Sequence, residues 1–331
     1  MSGWNRPVRG FHVYVLTAAA VLSLVYAHLL NSYWMHVAII AMFYGILAGS
    51  WTLLAGYAGL FSLGHMAFAS IGGYASALLV QWSGVPVPLG MAAGVALCCA
   101  TGGLIGWVCL RMSGPYLAIF TLAFSEIVRI AFSTEDQVTA GMAGLHTEPL
   151  FHVSSRLPYF YTAFALLVFS LAIMGAIVHS RWGLFLRAIR EDEQAAAASG
   201  VRVARFRILI FAIASGFAGL AGGFYAHYIG VLTPSLGALD LMAVVVVMAV
   251  IGGLECLPTA VGGAFGVELL QEYLRAYGQW RLVFLGIILL LTMRFARNGL
   301  LTPIWRQFVR LGEVRGAPVA RRDIGQEGSR V

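Results

Sequence analysis

Apolar residues in this chain come in long unbroken blocks, and the charges collect in the gaps between them. A bilayer core of about 30 Å is crossed by about 20 apolar helical residues. Ten blocks approach that length, near residues 12–30, 34–55, 61–81, 85–110, 115–133, 158–179, 206–232, 239–255, 259–276 and 281–297. The pattern predicts an all-α fold, a polytopic membrane helix bundle of about ten transmembrane helices. Eight helices is the alternative that keeps the same parity. Blocks 61–81, 239–255 and 259–276 are rich in glycine and are the ones expected to be broken or re-entrant. Irregular backbone at membrane depth survives only when protein or a watery cavity covers it.

Arginine placement predicts sidedness, because basic loops stay in the cytoplasm. Arg6 and Arg9 precede the first block. Arg306, Arg310, Arg315, Arg321 and Arg322 follow the last. The gap after the sixth block holds Arg181, Arg187, Arg190, Arg202, Arg205 and Arg207. The gap at 134–157 carries Glu135, Asp136 and Glu148 against Arg156. All four agree with both termini cytoplasmic. The expected organisation is a cytoplasmic N-terminus at 1–11, a transmembrane domain at 12–300 with a cytoplasmic segment at 180–207, and a polar, partly disordered tail at 301–331. The first block lacks a small-x-small cleavage site and is read as a retained span. Trp34, Trp82, Trp107, Trp182, Trp280 and Trp305 fall near block ends, where indole favours the interface. Glycine pairs at four-residue spacing (45/49, 102/106, 219/223 and 262/266) allow close helix approach, within one chain or between two.

Composition narrows the chemistry. Of 331 residues, 60% are hydrophobic and 11% charged, too few polar groups to cover a water-soluble surface. There is no lysine, so a phosphate loop, which needs one, is excluded and any ATP hydrolysis belongs to another chain. Cys98, Cys99, Cys109 and Cys256 form no CxxC pair and read as small buried hydrophobes. No catalytic set, metal site or cofactor is called for.

The stretch 180–207, SRWGLFLRAIREDEQAAAASGVRVARFR, is too charged to span. Leu184 to Ala198 is rich in helix formers, and Ser199-Gly200 supplies a stop. The expectation is one surface helix. Leu184, Phe185, Ala188, Ile189 and Ala196 would lie on one side, with Arg187, Arg190, Glu191 and Glu193 on the other. Lipid suits the basic flanks. The acidic block Glu191-Asp192-Glu193 among alanines suits a protein partner better.

Few polar residues lie at membrane depth. Glu126 and Arg129 can pair at i,i+3, either to lock helices together or to mark a polar point on a solute path. Ser62 and His65 suggest cavity lining or satisfaction of backbone at a helix break. They lack an oxyanion partner for catalysis. Asp240 is expected to cap the eighth span, and His227 and Tyr228 to anchor the outer interface. Glu268 is left between a cavity and a partner surface.

Five strings share a specific pattern. GYAGLFSLGHMAFASIGGYASALL (56–79) and GPYLAIFTLAFSEIVRI (114–130) are followed by LRAIREDEQAAAASGVRVARFR (186–207), SGFAGLAGGFYA (215–226) and MRFARNGLL (293–301). Together they resemble the branched-chain amino acid ABC transporter permeases of LivM type, over roughly residues 50–300. The resemblance implies an importer subunit paired with a sister permease, two ATP-binding cassette subunits and a periplasmic solute-binding protein, in the bacterial inner membrane. By the same resemblance, 186–200 becomes the coupling helix, with Arg187, Ala188, Ile189, Arg190, Glu191, Asp192, Ala196 and Gly200 as its contact residues. Ser62, Gly64, His65, Thr121 and Glu126 become candidates for the translocation path. Similar permeases take urea, amides or aromatic acids. A stand-alone secondary transporter or channel is the other class, supported only by the echo of GYAGL (56–60) in GFAGL (216–220). Three departures stand out. GGLECLPTAVGGA (252–264) replaces a glycine-rich family string and puts Glu255 at the cytoplasmic mouth. TAGMAGL (139–145) lacks one glycine. Leu60 stands where a polar residue is common.

Overall fold

The computed structural model describes residues 31–303, except 113, 154, 279 and 296–298, together with residue 307. The expected first span (12–30), Trp305 and the arginines of both ends lie outside the described residues.

Helices account for most of the described residues. The long ones are α1 (Ser32–Trp51), α2 (His65–Ser83), α3 (Val87–Val108), α4 (Pro115–Thr134) and α5 (Leu157–His179). Two short helices, α6 (Arg181–Glu191) and α7 (Glu193–Ala198), form a charged elbow. Then come α8 (Val203–Ile229), α9 (Leu239–Gly252), α10 (Leu257–Tyr273) and α11 (Trp280–Phe295). Among the described residues, five helices are long and apolar enough to cross a membrane: α1 with its extension to Tyr57, α3, α4, α5 and α8.

The core is built on helices that touch backbone to backbone. α8 packs against α3 and α2, and glycines sit at each crossing. A Cβ on Gly72 would run into the backbone of Gly219, one on Gly94 into the Gly72 carbonyl, and one on Gly222 into the Ala69 carbonyl. Lipid is as apolar as a protein core, so helices gain by close approach rather than by escaping solvent. The 102/106 and 219/223 pairs therefore serve packing within this chain. Gly266 has open space beside it.

Two broken stretches match the glycine-rich blocks in part. α1 ends in a π-helical turn, Thr52–Tyr57, and the chain stays irregular until α2 begins at His65, four residues later than expected. The eighth block is helical only from Leu239 to Gly252, with loop on both sides. After β2 (Val231–Leu232) the chain dips inward until Ser125 Oγ donates to the Gly237 carbonyl at 3.4 Å, and only then starts α9. At 14 residues, α9 spans about 21 Å, too short for a bilayer alone. The ninth block is one continuous helix, α10.

The end opposite the elbow is closed by a seated loop. β1 (Leu145–His146) pairs antiparallel with β2. Thr147 Oγ1 donates to the Ala226 carbonyl at 2.6 Å. His227, expected at the interface, is instead fully buried, with Nε2 2.8 Å from Ser76 Oγ and Nδ1 2.6 Å from the Glu148 carbonyl. Tyr228 is engaged too, its hydroxyl 2.6 Å from His36 Nδ1. A polar end in an apolar bundle closes on itself, since unsatisfied groups there cost several kcal/mol. Asp240 does not cap α9: Ala238 is the cap residue, and Asp240 sits in the first turn, where its charge still favours the helix dipole.

Candidate functional site

The elbow turns sharply at both ends for local reasons. Ser180 Oγ caps α6 by accepting from the Trp182 amide at 3.1 Å. Gly183 lies so close to the Val178 carbonyl that no side chain fits. The expected single helix is broken at Asp192, whose extended backbone (φ −154°) ends α6. Its carboxylate then caps α7, accepting from the amides of Gln194 (2.9 Å) and Ala195 (3.0 Å). α7 closes in a Schellman motif. The Val201 amide donates to the Ala196 carbonyl and the Gly200 amide to Ala197, with Gly200 left-handed at φ 84°.

The elbow's faces differ from the expected ones. Leu186, Ile189 and Ala196 turn inward, whereas Leu184, Phe185 and Ala188 are exposed. Arg190 points back into the membrane domain, where Nη1 donates to the Gly56 carbonyl at 2.5 Å. The Arg187 guanidinium lies 5.3 Å from the centre of the Tyr57 ring, a cation–π distance. Glu193 pairs with Arg207 Nη2 at 2.5 Å, and Arg207 Nη1 also donates to the Leu110 carbonyl at 3.1 Å. Glu191, Gln194, Ala195, Ala197 and Ala198 are left on the outer surface.

The seat of the elbow is the GYAGL string. Gly56 abuts the Leu254 carbonyl with no room for a Cβ. The Tyr57 hydroxyl donates to the Glu255 carbonyl at 2.8 Å. Gly59 takes φ 71°, and a Cβ there would lie 3.1 Å from Arg190 Cγ. A contiguous path therefore runs from the elbow through Arg190 and Arg187 to the π-helical end of α1, and on to the loop between α9 and α10. Glu255 is exposed at this same end. Sequence reasoning missed Gly56, Tyr57 and Gly59 as parts of this unit, and the pairing of Glu193 with Arg207. The signal was the GYAGL string, whose partner lies more than a hundred residues away.

Of the five path candidates, four converge. Ser62, His65 and Thr121 are buried. The Leu63 amide donates to Thr121 Oγ1 at 2.9 Å, the Gly64 amide to Ser62 Oγ at 3.2 Å, and Trp51 Nε1 to the Ser62 carbonyl at 2.7 Å. His65 lies near the Ser50 backbone, yet neither ring nitrogen reaches hydrogen-bond geometry with any described residue. Buried polar groups are almost always bonded, so this ring is a group in search of a partner. Glu126 stands apart. It is ion-paired with Arg129 on a half-exposed face of α4, with Arg129 Nε 3.0 Å from Glu126 Oε2. Leu60, the apolar departure, is buried. Glu268 is half-buried within electrostatic reach of Tyr44, Tyr225 and Arg281. Cys98 donates its thiol to the Phe68 carbonyl at 3.1 Å.

Fold and elbow together define a polytopic helical membrane protein of the permease class. A family model described as "Branched-chain amino acid transport system / permease component" matches residues 33–293, and the chain belongs to that family. The LivM-type resemblance agrees with two relatives named "High-affinity branched-chain amino acid transport system permease protein LivM". The one from Escherichia coli is 28% identical over 89% of this chain and 76% of its own length. The one from Salmonella typhimurium is 28% identical over 91% and 78%. A "Probable branched-chain amino acid transport permease protein LivH" from Methanocaldococcus jannaschii is 22% identical over 74% and 84%. Among solved structures, "PsaBC from Streptococcus pneumoniae in complex with Fab" shares 13% identity at a TM-score of 0.47, covering 88% of this chain and 99% of that one.

Proposed function

We infer that this chain is one membrane half of an ATP-driven importer of branched-chain amino acids. In this reading it sits in the bacterial inner membrane with both termini cytosolic and ten crossings, the tenth being 12–30. Its partners are a sister permease, two ATPase subunits and a periplasmic solute-binding protein. The carrying observation is the elbow. Ala188, Ala195, Ala197, Ala198 and Glu191 face outward, while Arg190 and Arg187 bind it to the end of α1. A partner gripping α6 and α7 would move Gly56 and Tyr57 directly, and with them the loop at 253–256. Ala188, Ile189, Asp192, Ala196 and Gly200 shape the elbow, and Arg187 and Arg190 transmit its motion. Ser62, Gly64, His65 and Thr121 form an occluded stretch of the solute path, and Glu126 a polar point beside it. A ligand or nucleotide drives such a change only through contacts that differ between the two states.

The test uses the assembled complex in proteoliposomes. Ala195→Cys is expected to crosslink to the ATPase subunit. Arg190→Ala is expected to lower leucine uptake per ATP hydrolysed about tenfold, the consequence of losing one half-buried charge-assisted hydrogen bond. Labelling of Ala195→Cys only from the periplasmic side, or unchanged coupling in well-assembled Arg190→Ala, would overturn the reading.

A further inference from the structure

The other side of the elbow opens onto a cleft of about 390 Å³, a volume typical of small-ligand pockets. Its walls come from α6 (Trp182, Phe185), from the Schellman turn at 199–202, and from the first two turns of α8 (Arg205, Phe206, Leu209). Three rings form an apolar floor. Trp182 meets Phe206 edge-on at 5.6 Å, and Phe185 lies 5.3 Å from the same ring. Trp182 and Phe185 remain 43% and 39% exposed, so nothing described in the chain covers them. Arg202 and Arg205 are exposed at the rim, and the three ion pairs among the described residues involve neither.

Depth identifies the occupant. α5 ends at His179 and α8 begins at Val203, so the cleft sits where two long apolar helices leave the hydrocarbon. Indole prefers that level. Arginine there meets the anionic surface of the inner leaflet. The nearby acids do not compete. Glu193 is held by Arg207, Asp192 caps α7, and Glu191 lies about 14 Å along α6 from Trp182. We propose that this cleft binds an anionic phospholipid. Its phosphate oxygens are held by Arg202 and Arg205, and its acyl chain lies along Phe206 and Leu209. Guanidinium pairs suit phosphate geometrically as well as in charge. A lipid seated there braces the elbow against α8, so the anionic content of the leaflet sets how freely the elbow moves. The inference rests on the proposed orientation, with the elbow at the cytosolic leaflet, and on no particular solute.

The full chain is reconstituted in phosphatidylcholine nanodiscs with a minor fraction of brominated phosphatidylglycerol or brominated phosphatidylcholine. The chain has eight tryptophans, so the Trp182 component is taken as the difference from Trp182→Phe. Brominated phosphatidylglycerol is expected to quench that component more than the zwitterionic lipid. Arg202→Gln with Arg205→Gln should weaken the apparent affinity about thirtyfold. The paired Arg→Lys variant keeps the charge but loses the fork geometry, and should lose less affinity than the glutamine pair, which separates lost charge from lost fold. Equal quenching by both lipids, or lysine and glutamine pairs equally defective, would overturn the proposal. So would displacement of the lipid by millimolar inorganic phosphate at constant ionic strength, which assigns the cleft to a soluble phosphate. So would protection by an added ATPase subunit without lipid preference, which assigns it to a protein.

Discussion

Ala140 holds φ 57°, the left-handed region, where an L side chain costs about 1–2 kcal/mol. It stands at the place where the family string carries the missing glycine, so the departure read in TAGMAGL has a physical meaning: an alanine sits in a backbone conformation that favours glycine. Ala140→Gly is expected to stabilise the protein by about 1 kcal/mol, after allowing for the entropy of a glycine in the unfolded chain. A higher thermal midpoint of the full chain in detergent checks this. Gly59 shows the opposite side of the same rule. It needs φ 71° and also needs room for Arg190. Its place in a motif was visible in the sequence, but its partner was not.

The elbow is the informative element. Its existence, its charge and its stop at Ser199-Gly200 were legible, because helix formers and a left-handed glycine act within a few residues. The break at Asp192 was not, although Asp192 is a good capping residue that could have been read as starting a second helix. Asp192→Ala removes the carboxylate oxygen that accepts from two amides and should cost α7 about 1 kcal/mol. Amides of 193–198 are then expected to exchange about fivefold faster in hydrogen-exchange mass spectrometry, with α6 unchanged. Which face of α6 looks inward also escaped the sequence, because Arg190 is a long side chain whose destination, the Gly56 carbonyl, becomes available only after α1 unwinds into its π-helical turn.

At the scale of the molecule, α2, α3 and α8 form a glycine-lined core that admits no added atoms. Gly222→Leu drives a side chain into the Ala69 backbone, and overpacking against backbone costs about 3 kcal/mol or more. The expected result is little monodisperse protein after detergent extraction. Gly266→Leu, with open space at its Cβ, should extract like wild type and serves as the control. If both variants behaved alike, the close-packed core would not be what holds the bundle.

From the residues alone came the membrane-spanning blocks, their expected parity and sidedness, the charged elbow, the absence of a phosphate-loop lysine and the family. Each rests on local composition or spacing, which a bilayer and the helix period impose directly. Tertiary structure alone decided which helices are central. α1 and α4 have similar hydropathy, 1.9 and 1.6, yet 89% of one and 17% of the other is buried. Hydropathy cannot tell them apart because lipid and protein interior are equally apolar. The same limit hid the gathering of Ser62, Gly64, His65 and Thr121, the separation of Glu126 from them, and the bond from Arg190 to Gly56. Those contacts join positions far apart in the chain, and only packing brings such positions together.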